Sequence, residues 1–209
     1  MSAGIPVERN TQALDLLRRI DEARHTQAGA EDIQRCGITC SRCCKRPFDV
    51  SETDLQLLLE GVATSTDLQR RALLERVALR AAHDREALGI QGDAIHLEAI
   101  GEDAFDDYCD DDDDHPCPIL DPLTQTCALP DYRPEPCRFR GARWRDGEHE
   151  LDLACPAGEG PSVTVVFAWI DVSARLARLS ELSRDQRTQG RTTIALGLDA
   201  LLRSRRAAG

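Results

Sequence analysis

The chain has little of what builds most large cores and most familiar active sites. Aromatic residues make up 4% of its 209 residues, with two tryptophans, two tyrosines and four phenylalanines. The core must therefore be drawn largely from Leu, Ile, Val and Ala, and the abundance of helix-favouring residues leans the fold toward α. No apolar run reaches the roughly 18 residues of a membrane-spanning helix, so no membrane partner is expected. The first ten residues lack the basic start and apolar stretch of a secretory signal, which predicts a cytoplasmic protein. Lysine is nearly missing: Lys45 is the only one, a bias typical of GC-rich bacterial coding. No Ser-His-Asp arrangement, phosphate-cradling glycine loop or dinucleotide fingerprint is visible, which leaves out the commonest hydrolase and nucleotide sites.

Charge is unevenly spread. The net charge is −11, but of 37 acids nine lie between Glu102 and Asp114 with no base among them, leaving 28 against 26 bases. The remainder is close to balanced and offers no broad basic face, so a nucleic-acid partner is not expected. Within the acidic run, Asp110 to Asp114 lacks the alternation and glycine of a calcium-binding EF-hand loop and reads as a solvated, self-repelling loop.

Apolar spacing predicts a helix from about Glu8 to Gln34 through Leu14, Leu17 and Ile20. Ser51 followed by Asp54 reads as a helix start, with Gly61 as the stop. A second start at Ser65 or Thr66 leads through Leu73, Val77 and Ala81 to a close at Gly89. Ile95 to Ile100 alternates like a short strand. Between Gly101 and Pro161 recurrent proline excludes long helices, and Asp146-Gly147 marks a hairpin turn. Ser162 then caps an amphipathic helix through Val166, Ile170 and Leu179, and a last helix runs from about Thr192 to Arg205. The expected fold is mainly α: helices packed around an irregular, proline-rich metal-binding loop region, with at most a short β-hairpin. One domain spans 1–209, with a cysteine-cluster region at 36–160 and a helical region at 161–209.

What is abundant, and bunched, is cysteine. Cys36, Cys40, Cys43 and Cys44 form one group; Cys117, Cys127, Cys137 and Cys155 follow, with Cys109 apart in the acidic run. Short repeated spacings let several thiolates turn toward one ion. In a reducing compartment this pattern points to metal rather than disulfides, and the odd count of nine agrees. Adjacent Cys43 and Cys44 point apart along most backbones, which suggests that they serve two centres or bridge a pair of metals; the alternative for Cys44 is a buried thiol beside a single site. His115 and His149 are further candidate zinc ligands. Four thiolates around Zn²⁺ or a [4Fe-4S]²⁺ cluster leave a site charge of about −2, and Arg133, Arg138, Arg140, Arg143 and Arg145 stand close in sequence to offset it. The Cys36-x-x-x-Cys40-x-x-Cys43 spacing matches radical S-adenosylmethionine enzymes. Arg42 before the third cysteine, a fourth cysteine directly after it and the lack of a strand–helix alternation argue against that reading.

Four elements occur in order: Cys40-Ser-Arg-Cys43-Cys44, Cys117-Pro-Ile-Leu120, Cys127 through Tyr132-Arg133-Pro134 to Cys137-Arg138, and Cys155-Pro156. Together they resemble the YkgJ-type cysteine-cluster family, the CxxCxxCC zinc- or iron-chelating domain, over residues 36–160. That family opens Cys-x-x-Cys, whereas three residues separate Cys36 from Cys40 here. The resemblance implies Cys36, Cys40, Cys43, Cys44, Cys117, Cys127, Cys137 and Cys155 as ligands of zinc or iron, the iron alone or as a [4Fe-4S] cluster. A metal-binding protein is the leading expectation. The alternatives are an iron–sulfur enzyme, since proteins resembling this family include Fe–S oxidoreductases and a flagellin lysine methylase group, and a metal-sensing or scaffold protein docking a partner through the helix at 162–182.

Overall fold

Helix α1, Val7–Glu31, carries Ala13, Leu14, Leu17 and Ile20 at the spacing of one helical face, and all four are buried. The computed structural model describes residues 7–31, 41–91, 97, 100, 102–111, 116–140, 143–152, 170–171, 173–174, 177–178 and 191–208. The stripe of α1 packs on Leu57 of helix α2 (Glu52–Thr64), on Phe139 of helix α5 (Glu135–Phe139) and on Trp144 of strand β2 (Arg143–Asp146). The Trp144 ring meets Phe139 edge-on at 4.8 Å, and its indole N–H donates to the Phe139 carbonyl at 2.5 Å. Its polar end is thereby satisfied without reaching water.

Helix α2 is the shared wall of the molecule. It begins with a capping box: the Ser51 hydroxyl accepts from the Asp54 N–H, and the Asp54 carboxylate accepts from the Ser51 N–H. Its Leu57 belongs to the α1 cluster, while Leu55, Leu58, Leu59 and Val62 enter a larger one. Each fully buried leucine is worth roughly 1.5–3 kcal/mol. The larger cluster adds Leu73 and Val77 of helix α3 (Asp67–Ala87), Ile119, Leu129, and Ile194 and Leu198 of the final helix α6 (Ile194–Ala208). The expected stop at Gly61 does not occur. The helix runs on to Thr64, and a Cβ at Gly61 would lie 2.9 Å from the Tyr132 ring. Glycine is needed here for close approach. Gly89, with φ of +63°, does follow the end of α3, and Thr66 with Gln69 forms a second capping box at its start.

The acidic run is not all loop. Glu102–Asp111 forms helix α4, whose Tyr108 is buried. Asp84 organises that burial: its Oδ1 accepts from Arg80 Nε at 2.5 Å and from the Tyr108 hydroxyl at 2.7 Å, and its Oδ2 accepts from the Thr193 hydroxyl at 2.6 Å.

The described fold is mainly α, with more strand pairing than the single expected hairpin. Strand β1 (Asp49–Val50) pairs antiparallel with β5 (Thr192–Thr193). The hairpin of β2 and β3 (His149–Asp152) turns at Gly147, where φ is +60°. Strand β4 (Ile170–Asp171) pairs parallel with β2 through Trp144 and Ile170. Ile170 and Asp171 are thus strand where the amphipathic helix was expected to pass, whereas Ser173, Ala174, Ala177 and Arg178 of the same stretch are helical. Ser162 and Val166 lie outside the described residues, as does most of the strand expected at 95–100, where Leu97 sits in a 3₁₀ turn. Among the described residues no helix is long and apolar enough to cross a membrane.

Candidate metal centre

Three local structures present the thiols. Cys43 and Cys44 sit in a 3₁₀ turn, Arg42–Lys45, closed by the Cys44 N–H on the Ser41 carbonyl at 2.9 Å. Cys117 and Cys127 flank a small folded loop. In it Leu120 bridges Cys127, the Ala128 N–H donates to the Ile119 carbonyl, and the Asp121 carboxylate accepts from the N–H groups of Leu123 and Thr124. The side chain of Asp121 thus supplies the turn that brings the two cysteines back together. Cys137 lies in α5, after Pro134 and Pro136 have fixed the approach of the chain.

These three pieces meet. The Cys117 N–H donates to the Cys44 carbonyl at 2.5 Å, joining the first cysteine group to the second by backbone alone. Cys43, Cys44, Cys117, Cys127 and Cys137 all line one cavity of about 50 Å³, room for a few small atoms. Phe48, Ile119, Leu120 and Ile194 form apolar walls, and Arg133 and Gln125 are the polar non-sulfur contributors. Among the described residues, no Asp, Glu or His lines it.

Cys43 and Cys44 both line this cavity, and their thiols hydrogen-bond to each other. In a 3₁₀ turn neighbouring side chains are about 120° apart, close enough for both to reach a shared space. The pair gives up one proton readily. The Cys44 thiol donates to the Cys43 sulfur and Arg140 and Arg133 add positive charge, so Cys43 is lowered to about 6 against opposing burial. Cys44, holding the shared proton in a desolvated site near Cys117 and Cys137, is pushed upward.

Burial raises the other three. Cys117 is pushed up to about 12, and Cys127 and Cys137 also rise, with desolvation the largest cause in each and neighbouring sulfurs adding to it at Cys117 and Cys137. These thiols resist ionising because the cavity concentrates negative charge away from water. A bound cation reverses that balance. All-sulfur donors with apolar walls fit a soft or borderline metal such as zinc, or iron in an iron–sulfur cluster, and do not fit calcium or magnesium.

The arginines divide by role. Arg133 lines the cavity and bonds Asp21 of α1 at 2.9 Å. Arg138 is wholly buried: its guanidinium pairs with Asp21 and donates to the carbonyls of Arg133 and Asp131, clamping the 130–133 turn onto α5. Arg140 acts on Cys43 through its charge. Arg145 instead pairs with Glu150 at 2.6 Å on the exposed hairpin. The side chain of Arg143 lies outside the described residues.

Cys36, Cys40, Cys155 and His115 also lie outside the described residues. Cys109 is in α4 and does not line the cavity, and His149 is exposed at the start of β3. All six described cysteines are free thiols. Among the described residues, no three His, Cys, Asp or Glu side chains are closed into a set that could hold an ion, so the five sulfurs share a cavity without converging on one point. Gln125 and Phe48 were not foreseen as part of the site. Gln125 adopts φ of +55° and accepts from the Ser41 hydroxyl at 3.1 Å, a turn role that its residue type does not advertise. No protein-family model, curated protein or solved structure matches this chain.

Proposed function

We propose that this is a metal-binding protein that chelates zinc or iron, the iron alone or as an iron–sulfur cluster, through its clustered cysteines. The observation that carries the reading is that five of the eight candidate ligands line one cavity. Cys43, Cys44, Cys117, Cys127 and Cys137 would hold the metal, with Cys36, Cys40 and Cys155 completing the set expected from the resemblance to the YkgJ-type family. The bound metal supplies the positive charge that the buried sulfurs lack, and binding contributes folding free energy directly. Free thiols at every described cysteine suit a reducing, cytoplasmic setting.

The test is purification without oxygen, followed by measurement of zinc, iron and acid-labile sulfide per chain and a visible spectrum. Stoichiometric zinc in a colourless solution selects the zinc form; iron with sulfide selects the cluster. Cys137→Ser should lower metal content, whereas Cys109→Ser should leave it unchanged. A chain that emerges with neither metal, and takes up neither when reduced and reloaded, sinks the proposal.

A further inference from the structure

A second and larger cavity, of about 630 Å³, opens beside the first and shares Cys117, Leu120 and Gln125 with it. Small-molecule sites typically occupy roughly 300–1,000 Å³. Among the described residues its lining includes Lys45, Arg76, Arg80 and His83 and no carboxylate, on a chain of net charge −11.

These cations are not equivalent. Arg80 is compensated by Asp84 at 2.5 Å. Lys45 and Arg76 take part in no ion pair among the described residues. Arg76 is held in place, its Nε donating to the Pro118 carbonyl at 3.0 Å. The remaining wall is apolar, with Leu79, 68% exposed, on the α3 side and Pro116, Pro118 and Pro122 on the loop side.

We propose that this cleft binds a small organic anion, a carboxylate or phosphate monoester with an apolar body, alongside the sulfur-lined cavity. The anionic group pairs with Arg76 and Lys45, since a guanidinium fixed by its Nε still presents its other nitrogens to an oxyanion. The apolar body lies against Leu79 and the prolines. The assignment rests on the cleft itself and does not depend on metal in the neighbouring cavity.

Titration calorimetry of the full chain at low salt tests it, using benzoate and phenyl phosphate as probes against neutral benzyl alcohol and cationic benzylamine. The two anions should bind and the other two should not; whichever anion binds more tightly names the preferred headgroup. Arg76→Gln should weaken binding by about tenfold, the loss of one charge-assisted contact. Leu79→Glu places a carboxylate in the wall at an exposed position, where folding is not at stake, and should weaken it at least as much. Metal per chain, measured on the same samples, should not change in either variant. Anion binding in a chain that carries no zinc or iron and takes up neither when reduced and reloaded supports the cleft while removing the metal reading. Benzyl alcohol binding as tightly as benzoate, or undiminished benzoate binding in a folded Leu79→Glu chain, overturns the proposal.

Discussion

Asp54 holds the start of two helices at once, because its Oδ1 accepts from the Glu135 N–H at 2.8 Å while its Oδ2 accepts from the Ser51 N–H. Glu135 opens α5, and Cys137 follows two residues later, so the carboxylate that caps α2 also sets the position of a candidate ligand. Asp54→Ala should destabilise the fold by about 2 kcal/mol, the upper range for a lost cap, as read by urea denaturation. It should also weaken zinc binding; a variant with wild-type stability and wild-type affinity would show that Asp54 does neither job.

The same residue gives a pH signature. Burial raises its pKa above the ordinary carboxylate value, with the hydrogen bonds and Arg138 opposing. The folded chain therefore holds this proton more tightly than the unfolded chain. Its contribution is fully present below the unfolded pKa, near 3.9, and is lost as pH rises through the higher folded value. The stability gap between wild type and Asp54→Ala should accordingly narrow as pH rises through the weakly acidic range. A gap that widens instead would mean that the hydrogen bonds outweigh desolvation.

Metal uptake should release protons. Cys117, Cys127 and Cys137 hold theirs above the ordinary thiol range because of burial, and each must ionise to ligate. Apparent zinc affinity should rise with pH across the neutral range. Calorimetry in two buffers of different ionisation enthalpy counts the protons directly, and a count near zero would remove these thiols from the ligand set.

Gly61→Ala tests the packing of α2 against the turn that precedes α5. The added Cβ would lie 2.9 Å from Tyr132 ring carbons, so the ring and its 3₁₀ turn, Pro130–Tyr132, must shift. A cost of about 1–3 kcal/mol is expected from overpacking. The measurement is the urea midpoint, and an unchanged midpoint would mean that the turn yields freely.

Tyr108→Phe removes one donor to Asp84, which is 1% exposed, and loosens α4 from α3. The loss should be about 1–3 kcal/mol, the cost of leaving a buried acceptor short of a partner. Hydrogen exchange in α4 should rise more than in α2; uniform protection across both helices would contradict an anchoring role.

The parts legible in the sequence were those with local causes. Ser51 with Asp54, the helix start at Thr66, and Gly147 in the hairpin act over a few residues, and each does what its local sequence implies. The parts that were not legible depend on distant partners. Gly61 answers to Tyr132, α4 answers to Arg80 and Asp84, and β4 answers to Trp144. The candidate site divides the same way. Bunched cysteines named the chemistry, but only the tertiary fold brings Cys44 beside Cys117 and turns Cys43 and Cys44 to a common space.

The link between Cys44 and Cys117 is made of peptide groups, and no side-chain replacement other than proline at 117 removes its donor or acceptor. Serine at either position leaves the two segments neighbours. A series of cysteine variants therefore removes ligands one at a time while the groups that make this link stay in place, so the ligand set can be edited without deleting the seam between the two segments.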